Sequence, residues 1–353
     1  MKKNILVVDD SALMRRVICD IINADSDYQA IDVCRDGLEA YKKIKTKTYD
    51  AIVLDVNMPR MDGLQLLEKL QQEKMNATVI MVSTVTTNDA DVTMLAMERG
   101  AIDFVTKPTN IIEAKGLDFK SNLIRVLNAV IKSKEEKKTL RTRTAVHTVA
   151  KPPVKPKAVR KNKLIALACS TGGPKALQSV IPFLKPQMDA PMVLVQHMPS
   201  GFTKSMADRL NELSGVAVKE AEDGDILEKG AVYIAPGGRH LKIQRMPDGR
   251  HRVVLNNEPA IGGLRPCANV MYNSLKDCSF DEITCVILTG MGADGTKGIK
   301  ELASKVPVYV IAQDAASSVV YGMPRAITET GLTDEVVPLN QVAESILKNV
   351  GVN

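Results

Sequence analysis

Short runs of β-branched and other apolar residues recur along the chain, and stretches with helical spacing separate them. In the first half the runs are Ile5–Val8, Ala51–Leu54, Val79–Val82 and Phe104–Val105. In the second half they are Leu164–Ala168, Met192–Gln196, Cys285–Leu288 and Val308–Ala312. Strands that alternate with helices predict parallel sheets, so we expect an α/β fold in both halves. Two more runs, Ala231–Ala235 and His251–Leu255, predict added strands or a hairpin.

A basic segment that contains Pro152, Pro153 and Pro156 separates the two halves, over about residues 134–162. Like charges and proline keep a chain extended, so this segment predicts a flexible linker. We therefore predict a first domain over 1–125, a helix end and linker over 126–162, and a second domain over 163–350. The net charge of +6 reflects this linker, which is nearly free of aromatic residues, and we expect no nucleic-acid partner.

Bulk properties favour a cytoplasmic protein. No apolar run approaches the roughly 20 residues of a membrane span, and acids follow Met-Lys-Lys where a secretory signal would continue apolar. The six cysteines are scattered and form no C-x-x-C pair, so we expect neither a zinc site nor a disulfide framework. We expect a monomer that does not insert into membranes.

Three acids follow predicted strands in the first half: Asp9 and Asp10 after the first strand, and Asp55 after the next one identified. The carboxyl ends of parallel strands form the ligand crevice of an open α/β sheet. Acids that converge there repel one another unless a hard cation lies among them, and carboxylates suit Mg²⁺. With Ser83 and Lys107 after later strands, the set predicts a pocket that can host a phosphoryl group on an aspartate.

The motifs "VVDDSALMRR", "VLDVNMPRMDG", "MVST" and "DFVTKP" resemble the receiver domain of two-component response regulators, which has a doubly wound, flavodoxin-like fold. The resemblance implies that Asp55 accepts the phosphoryl group. It implies that Mg²⁺ is bound by Asp10, Asp55 and the backbone carbonyl of Asn57, with Asp9 assisting. It also implies that Lys107 pairs with the phosphate, while Ser83 and Phe104 couple phosphorylation to the far face of the domain.

In the second half, "LIALACSTGGPKALQSVI" predicts a strand, a tight turn and a helix, with Ser170 at the end of the strand. Pro174 suits a first helical turn, and the helix N-terminus could stabilise an oxyanion beside Ser170. "MVLVQHMPSGF" predicts a second strand that ends at His197. Of the other histidines, His240 is the credible rival, since His147 lies in the linker and His251 follows a hairpin turn.

The loop "VILTGMGADGTKG" supports two hypotheses. Its G-x-G-x-x-G spacing, with Asp314 near the distance of a ribose-binding acid, is typical of a dinucleotide-binding turn. However, Asp294 lies inside the loop, where its charge would repel a pyrophosphate. Ser170, His197 and Asp294 would each follow a different strand of one crevice, and so supply a nucleophile, a base and an orienting acid. We therefore favour a loop that holds a catalytic carboxylate.

The motifs "ACSTGGPKAL", "VQHMPSGF", "YIAPGGRHL", "LTGMGADGTKGI" and "AQDAASSVVYGMPRAI" resemble the catalytic domain of the chemotaxis protein-glutamate methylesterases, the CheB family. The resemblance implies a modified doubly wound, mainly parallel α/β fold and a triad of Ser170, His197 and Asp294. It implies that Thr171 and the backbone amide of Met291 stabilise the oxyanion.

The same resemblance implies a phosphorylation-activated enzyme that hydrolyses γ-glutamyl methyl esters of chemoreceptors, releases methanol and in some members deamidates glutamine. The partners would be methyl-accepting chemoreceptors and a chemotaxis histidine kinase, and only the receiver would need Mg²⁺. We expect the unphosphorylated receiver to block the crevice. Three alternatives remain: a nicotinamide-dependent oxidoreductase, a regulator that acts only by binding, and a triad hydrolase with another target.

The chain departs from the family pattern at four positions. Ala168 and Cys169 stand where the family usually has glycine and alanine, and Cys267 and Asn269 replace serine and aspartate in "LRPCANV". We expect Cys169 to be a small buried residue. We expect neither Cys267 nor Asn269 to contact the triad, so these changes should alter substrate fit or rate and not the reaction.

Overall fold

A computed structural model describes residues 2–84, 86–108, 117–141 and 162–351. Most of the predicted linker, including His147 and its prolines, lies outside these described residues. The chain forms two compact units, Met1–Lys134 and Glu135–Asn353. Among the described helices, none combines the length and apolar character that crossing a membrane requires.

The first unit contains a five-stranded parallel sheet with the order β2-β1-β3-β4-β5. This is the flavodoxin-like doubly wound order, which confirms the predicted fold. The strands are β1 Lys3–Val8, β2 Tyr28–Cys34, β3 Ala51–Asp55, β4 Val79–Ser83 and β5 Asp103–Thr106. The helices are α1 Ala12–Asn23, α2 Gly37–Thr46, α3 Gly63–Gln72, α4 Thr87–Glu98 and α5 Leu117–Arg141.

The boundary predicted at residue 125 lies inside helix α5. Beyond that residue, Val126, Leu127, Val130 and Ile131 are buried in the core that the helix shares with β1, β3 and β4. These apolar side chains keep the helix on the first unit until the basic stretch begins.

The second unit contains a seven-stranded parallel sheet with the order β14-β13-β12-β6-β7-β9-β8, as the predicted α/β fold requires. Its strands are β6 Lys163–Cys169, β7 Met192–Gln196, β8 Ala217–Glu220, β9 Ala231–Ile234, β12 Glu282–Ile287, β13 Val308–Gln313 and β14 Glu335–Val337. The helices are α6 Gly173–Gln178, α7 Phe202–Leu213, α8 Ala268–Ser274, α9 Thr296–Ala303, α10 Met323–Thr328 and α11 Val342–Val350, with short 3₁₀ turns at Ile181–Phe183, Leu275–Asp277 and Leu339–Gln341. Central strands β7 and β12 are buried along their whole length, as expected for a parallel sheet covered on both faces.

The two runs predicted as added strands or a hairpin have different places. Ala231–Ile234 joins the main sheet as β9 and pairs in parallel with β7 and β8. The second run lies in β11, His251–Asn256, whose antiparallel partner is β10, His240–Arg245. The sequence of β10, "HLKIQR", mixes charged and apolar residues and is exposed at its end, so no apolar run predicts this strand.

Candidate active site and phosphorylation site

The candidate nucleophile and base follow neighbouring strands. Strand β6 lies between β12 and β7. The strands β7 to β9 lie on one side of β6 and the later strands β12 to β14 on the other, so the strand order reverses at β6. The β6–β7 register pairs Cys169 with Gln196, so Ser170 and His197 are the next residues on the two strands. On the other side, the backbone N–H of Ser170 donates to the carbonyl of Thr289, 3.0 Å away, just after β12. Ligand crevices of open α/β sheets lie at such switch points.

His197 and Asp294 form a close pair. His197 Nε2 lies 2.8 Å from Asp294 Oδ2, and both side chains are nearly buried. Burial opposes ionisation of this carboxyl, but hydrogen bonds from His197 and from the backbone amides of Ala268 and Asn269 lower the pKa of Asp294 to about 2. Asp294 is therefore an anion at neutral pH. Because Nε2 faces Asp294, Nδ1 is the imidazole nitrogen left to accept a proton.

The Ser170 side chain is unengaged. It is 5% exposed, and within residues 162–351 its hydroxyl makes no hydrogen bond. Gly290 packs directly against it, since a Cβ on Gly290 would lie 2.9 Å from Ser170 Cβ. The structure thus brings Ser170 to the strand end beside His197, with a hydroxyl that is free to turn towards a substrate. Catalytic hydrogen bonds often tighten only when substrate is bound.

The predicted oxyanion donors each follow a residue of the candidate site in the chain, since Thr171 follows Ser170 and Met291 follows Gly290. The Thr171 hydroxyl is buried and has no hydrogen-bond partner among the described residues. Gly172 adopts φ +75°, and a side chain there would meet Val319 at 2.6 Å, so the turn after Thr171 requires glycine. Met291 directly follows Gly290, the residue against Ser170, and its own side chain is 39% exposed.

The expectation that Cys267 and Asn269 avoid the triad is wrong. Cys267 Sγ lies 3.2 Å from Asp294 Oδ1, and the backbone N–H of Asn269 donates to the same oxygen at 3.0 Å. The backbone N–H of Ala268 donates to Oδ2 at 2.6 Å. Helix α8 begins at Ala268, so its first backbone N–H groups, which have no partner within the helix, point at the carboxylate.

The glycine loop holds a carboxylate, and backbone N–H groups that a pyrophosphate would use are already engaged. Gly292 and Gly295 adopt φ +80° and +92°, which accounts for glycine at these two positions. At the start of helix α9, the backbone N–H groups of Gly295 and Gly298 donate to the side-chain oxygen of Asn269 at 3.1 and 2.7 Å. A dinucleotide phosphate would need these same donors.

His240, the other candidate for the catalytic base, has a structural role. His240 is fully buried, and its Nε2 lies 3.2 Å from the carbonyl oxygen of Pro259. His251 stacks on Phe280 with 4.1 Å between ring centroids, and its Nε2 contacts the carbonyl oxygen of Cys278. Among the described histidines, His197 alone contacts a carboxylate at a strand end of the crevice.

In the first unit, oxygens of Asp9, Asp10 and Asp55 all lie within 4.8 Å of one another, a spacing that one divalent cation can bridge. Lys107 Nζ lies 2.7 Å from Asp55 Oδ2 and 2.8 Å from Asp9 Oδ2. Burial raises the pKa of Asp55 to about 6, against the opposing charge of Lys107. Burial disfavours the charged Lys107, but Asp55 and Asp9 outweigh it and raise the pKa of Lys107.

The remaining predicted residues of this site lie on β4, on β5 and in the loop after Asp55. Ser83, at the end of β4, accepts a hydrogen bond from Thr93 at 2.8 Å, and Phe104 is buried in β5. Asn57 lies in the loop after Asp55, and its side-chain amide donates to Asp89 at 2.7 Å. The side-chain nitrogen of Asn57 is therefore engaged by Asp89, and the metal-binding role of its backbone carbonyl stays a prediction.

Comparisons with known proteins match both halves of the chain to families. A family model described as CheB methylesterase matches residues 165–346, and one described as a response regulator receiver domain matches residues 5–115. The chain belongs to the CheB methylesterase family.

Relatives of this CheB-family chain match it over nearly its whole length. The protein-glutamate methylesterase/protein-glutamine glutaminase of Bacillus subtilis (strain 168) is 42% identical over 347 residues, which is 97% of either chain. The protein of the same name from Pyrococcus horikoshii is 40% identical over 99% of this chain and 94% of its own. The crystal structure of the Thermotoga maritima CheB methylesterase catalytic domain is 40% identical, with a TM-score of 0.51, and covers 53% of this chain and 98% of its own.

One buried residue beside the candidate site, Gln196 at the end of β7, was not predicted from the sequence. Its Nε2 donates to the carbonyl oxygens of Ser170 at 3.1 Å and of His197 at 3.0 Å, and its Oε1 lies 3.0 Å from Cys169 Sγ. Cys169 is fully buried, as predicted, but it also takes part in this network. A lone amide that ends an apolar strand is the signal that could have revealed Gln196.

Replacing Gln196 by leucine should lower the free energy of unfolding of the second unit by roughly 2–4 kcal/mol, because two carbonyls and a thiol lose a buried partner. Urea unfolding of the full-length protein, followed by a probe in this unit, measures the change. Gln244→Leu is the control, since Gln244 is exposed on β10 and should change the value by about 0.5 kcal/mol or less. Equal effects of the two substitutions would contradict the bridging role of Gln196.

Proposed function

We propose that this chain is a phosphorylation-activated hydrolase that removes methyl esters from γ-glutamyl residues of chemoreceptors and also deamidates receptor glutamines, for adaptation in bacterial chemotaxis. The main support for this proposal is the 2.8 Å contact between His197 and Asp294, at the strand end next to that of Ser170. The names of the relatives supply the substrate class, protein-bound glutamate and glutamine.

In the first half of the reaction, Ser170 Oγ attacks the ester carbonyl and gives its proton to His197 Nδ1. Asp294 remains ionised, holds Nε2–H and stabilises the imidazolium that forms. The Thr171 hydroxyl, which is buried without a partner, and the Met291 backbone amide donate to the tetrahedral oxyanion.

In the second half, His197 returns its proton to the methoxy oxygen, and methanol leaves a glutamyl ester on Ser170. Water then attacks this ester, with His197 as base, and releases the glutamate carboxylate and the free serine. With a glutamine substrate the same steps release ammonia. These steps use only the protein groups named above and need no cofactor.

For the receiver, the acceptor of the phosphoryl group is Asp55, and a histidine kinase is the donor. Asp10, Asp55 and the carbonyl of Asn57, with Asp9 assisting, would hold Mg²⁺, which neutralises charge around the transferred phosphoryl group when bound. Lys107 is within reach to pair with a phosphate on Asp55, and Ser83 and Phe104 would respond to it.

The test is methanol release from purified, methylated chemoreceptor membranes by the full-length protein, with and without acetyl phosphate and Mg²⁺. We expect release in both conditions and a faster rate with the phosphodonor. Release from a small methyl ester together with none from receptor would favour a hydrolase with another target. No release from either ester would contradict the esterase activity.

Asp55→Asn should remove the stimulation by acetyl phosphate and leave basal methanol release within about twofold of wild type, because the substitution removes the phosphoryl acceptor. Incorporation of phosphoryl groups is followed in parallel by intact mass in the presence of a rapid quench. Asp62→Asn is the control, because Asp62 caps helix α3 and accepts from the backbone of Gln65. Stimulation that survives in Asp55→Asn would place the acceptor elsewhere.

A further inference from the structure

The carboxylate of Asp294 is held by more than its histidine. Three consecutive residues, Cys267, Ala268 and Asn269, each donate to one of its oxygens, at 3.2, 2.6 and 3.0 Å. Ala268 acts only through its backbone, so its side chain is not required for the contact. Cys267 donates through its side chain, whereas Asn269 donates through its backbone and uses its side-chain oxygen to accept from Gly295 and Gly298.

We propose that Cys267 and Asn269 are positioning residues for the esterase reaction, which hold Asp294 through its Oδ1 and through the loop that carries it, so that Oδ2 faces His197. The proposal rests on the proposed function, since it assigns these residues to the triad of that reaction. Neither side chain touches the reacting atoms, so each acts through Asp294.

Cys267 acts as a hydrogen-bond donor. It is 1% exposed, and burial together with the charge of Asp294 raises the pKa of its thiol to about 12, so the thiol keeps its proton at neutral pH. A thiol donates more weakly than a hydroxyl. Cys267 also shares Asp294 Oδ1 with the backbone N–H groups of Asn269 and Gly295. Its contribution is therefore modest and should be reproduced by serine.

Asn269 links the two segments that frame Asp294. Its backbone N–H donates to Asp294 Oδ1, and its side-chain oxygen accepts from the N–H groups of Gly295 and Gly298. The side chain thus joins the start of helix α8 to the start of helix α9, and so fixes the loop that carries Asp294. Asn269 Oδ1 and Asp294 Oδ1 both accept from the N–H of Gly295, so an acceptor oxygen at residue 269 is the feature that ties this loop to helix α8.

The thiol is tested by kcat and KM for methanol release in the full-length protein. Cys267→Ala should lower kcat about three- to tenfold with KM within about twofold, the size of a weak hydrogen bond to a charged group. Cys267→Ser should keep kcat within about twofold of wild type. The matched control is Cys278→Ala, another buried cysteine, whose thiol contacts the carbonyls of Ile243 and Ser274.

The amide is tested in the same way. Asn269→Ala should lower kcat about tenfold or more, because two helix-terminal N–H groups lose their acceptor and the loop loosens. Asn269→Asp keeps an acceptor at that position and should retain a kcat at least about threefold above Asn269→Ala. Asn273→Ala, one turn further along helix α8, is the control, and its kcat should stay within about twofold of wild type.

The proposal is overturned if Cys267→Ser is as slow as Cys267→Ala, if Cys278→Ala is slowed as much as Cys267→Ala, or if Asn269→Asp is no faster than Asn269→Ala. Thermal unfolding of each variant shows whether a loss of kcat follows a loss of fold. The rate at which a serine-directed phosphonate inactivates each variant should give the same ranking. That second readout separates failure of the positioning role from failure of the methyl-ester assignment.

Discussion

Replacing Ser170 by alanine is expected to abolish methanol release, with kcat lowered by about 10⁴–10⁶-fold. The chain offers no second nucleophile in this arrangement among the described residues. Ser170 is the hydroxyl at the end of β6, with His197 on the next strand end and Gly290 packed against its Cβ. Alanine is smaller than serine and fits the same space, so the fold should be retained.

The measurement is single-turnover methanol release from methylated receptor membranes, with binding followed separately. KM or the dissociation constant should change little, since the hydroxyl acts on the transition state and contributes little to ground-state binding. Ser179→Ala is the control. Ser179 lies at the C-terminal end of helix α6, the helix that follows Ser170, and within residues 162–351 its hydroxyl donates only to the carbonyl of Lys175. Turnover retained in Ser170→Ala would mean that another group forms the ester.

Replacing Asp294 by asparagine should lower kcat by about 10⁴-fold. Asp294 accepts Nε2–H of His197, which leaves Nδ1 unprotonated and able to take the proton of Ser170. An amide that donates to Nε2 would force the proton onto Nδ1 and remove the charge that stabilises the imidazolium. The backbone N–H of Ala268, at 2.6 Å, would also face a donor in one amide orientation.

Asp314→Asn separates this account from the dinucleotide hypothesis. In a nicotinamide-dependent enzyme Asp314 would bind ribose, and its loss would be severe. In the esterase, Asp314 accepts from Ser317 beyond β13, and methanol release should stay within about threefold of wild type. A loss of methanol release as large as that with Asp294→Asn would contradict the structural role of Asp314, and NAD binding by the wild type that Asp314→Asn abolishes would favour the dinucleotide hypothesis.

The triad positions were predictable because parallel strands deliver their carboxyl ends to one edge of a sheet. Ser170 and His197 directly follow apolar runs and Asp294 lies in the loop after a third, so a parallel sheet, together with the chemistry of the three side chains, predicted them at one edge. The acids of the receiver were predictable for the same reason. Strand β2 was not predicted, because its middle residues are only half-buried and its sequence, "YQAIDVC", has no continuous apolar run.

The contacts of Cys267 and Asn269 were not predictable from spacing. They arise because helix α8 packs on helix α9 and directs its first N–H groups at a loop some 25 residues further along the chain. Such contacts depend on how two short helices dock, which no local pattern encodes. Gln196 is an intermediate case, since its type and place were visible but its two acceptor carbonyls were not.

The most direct test of the account is the reaction of the full-length protein with a serine-directed phosphonate, with the modified residue located by peptide mass spectrometry. We predict a single phosphonyl group on Ser170, and a rate of labelling that falls by at least about 10²-fold in His197→Gln, because the imidazole removes the serine proton. An unlabelled Ser170 in protein that still releases methanol, or labelling that does not depend on His197, would contradict it.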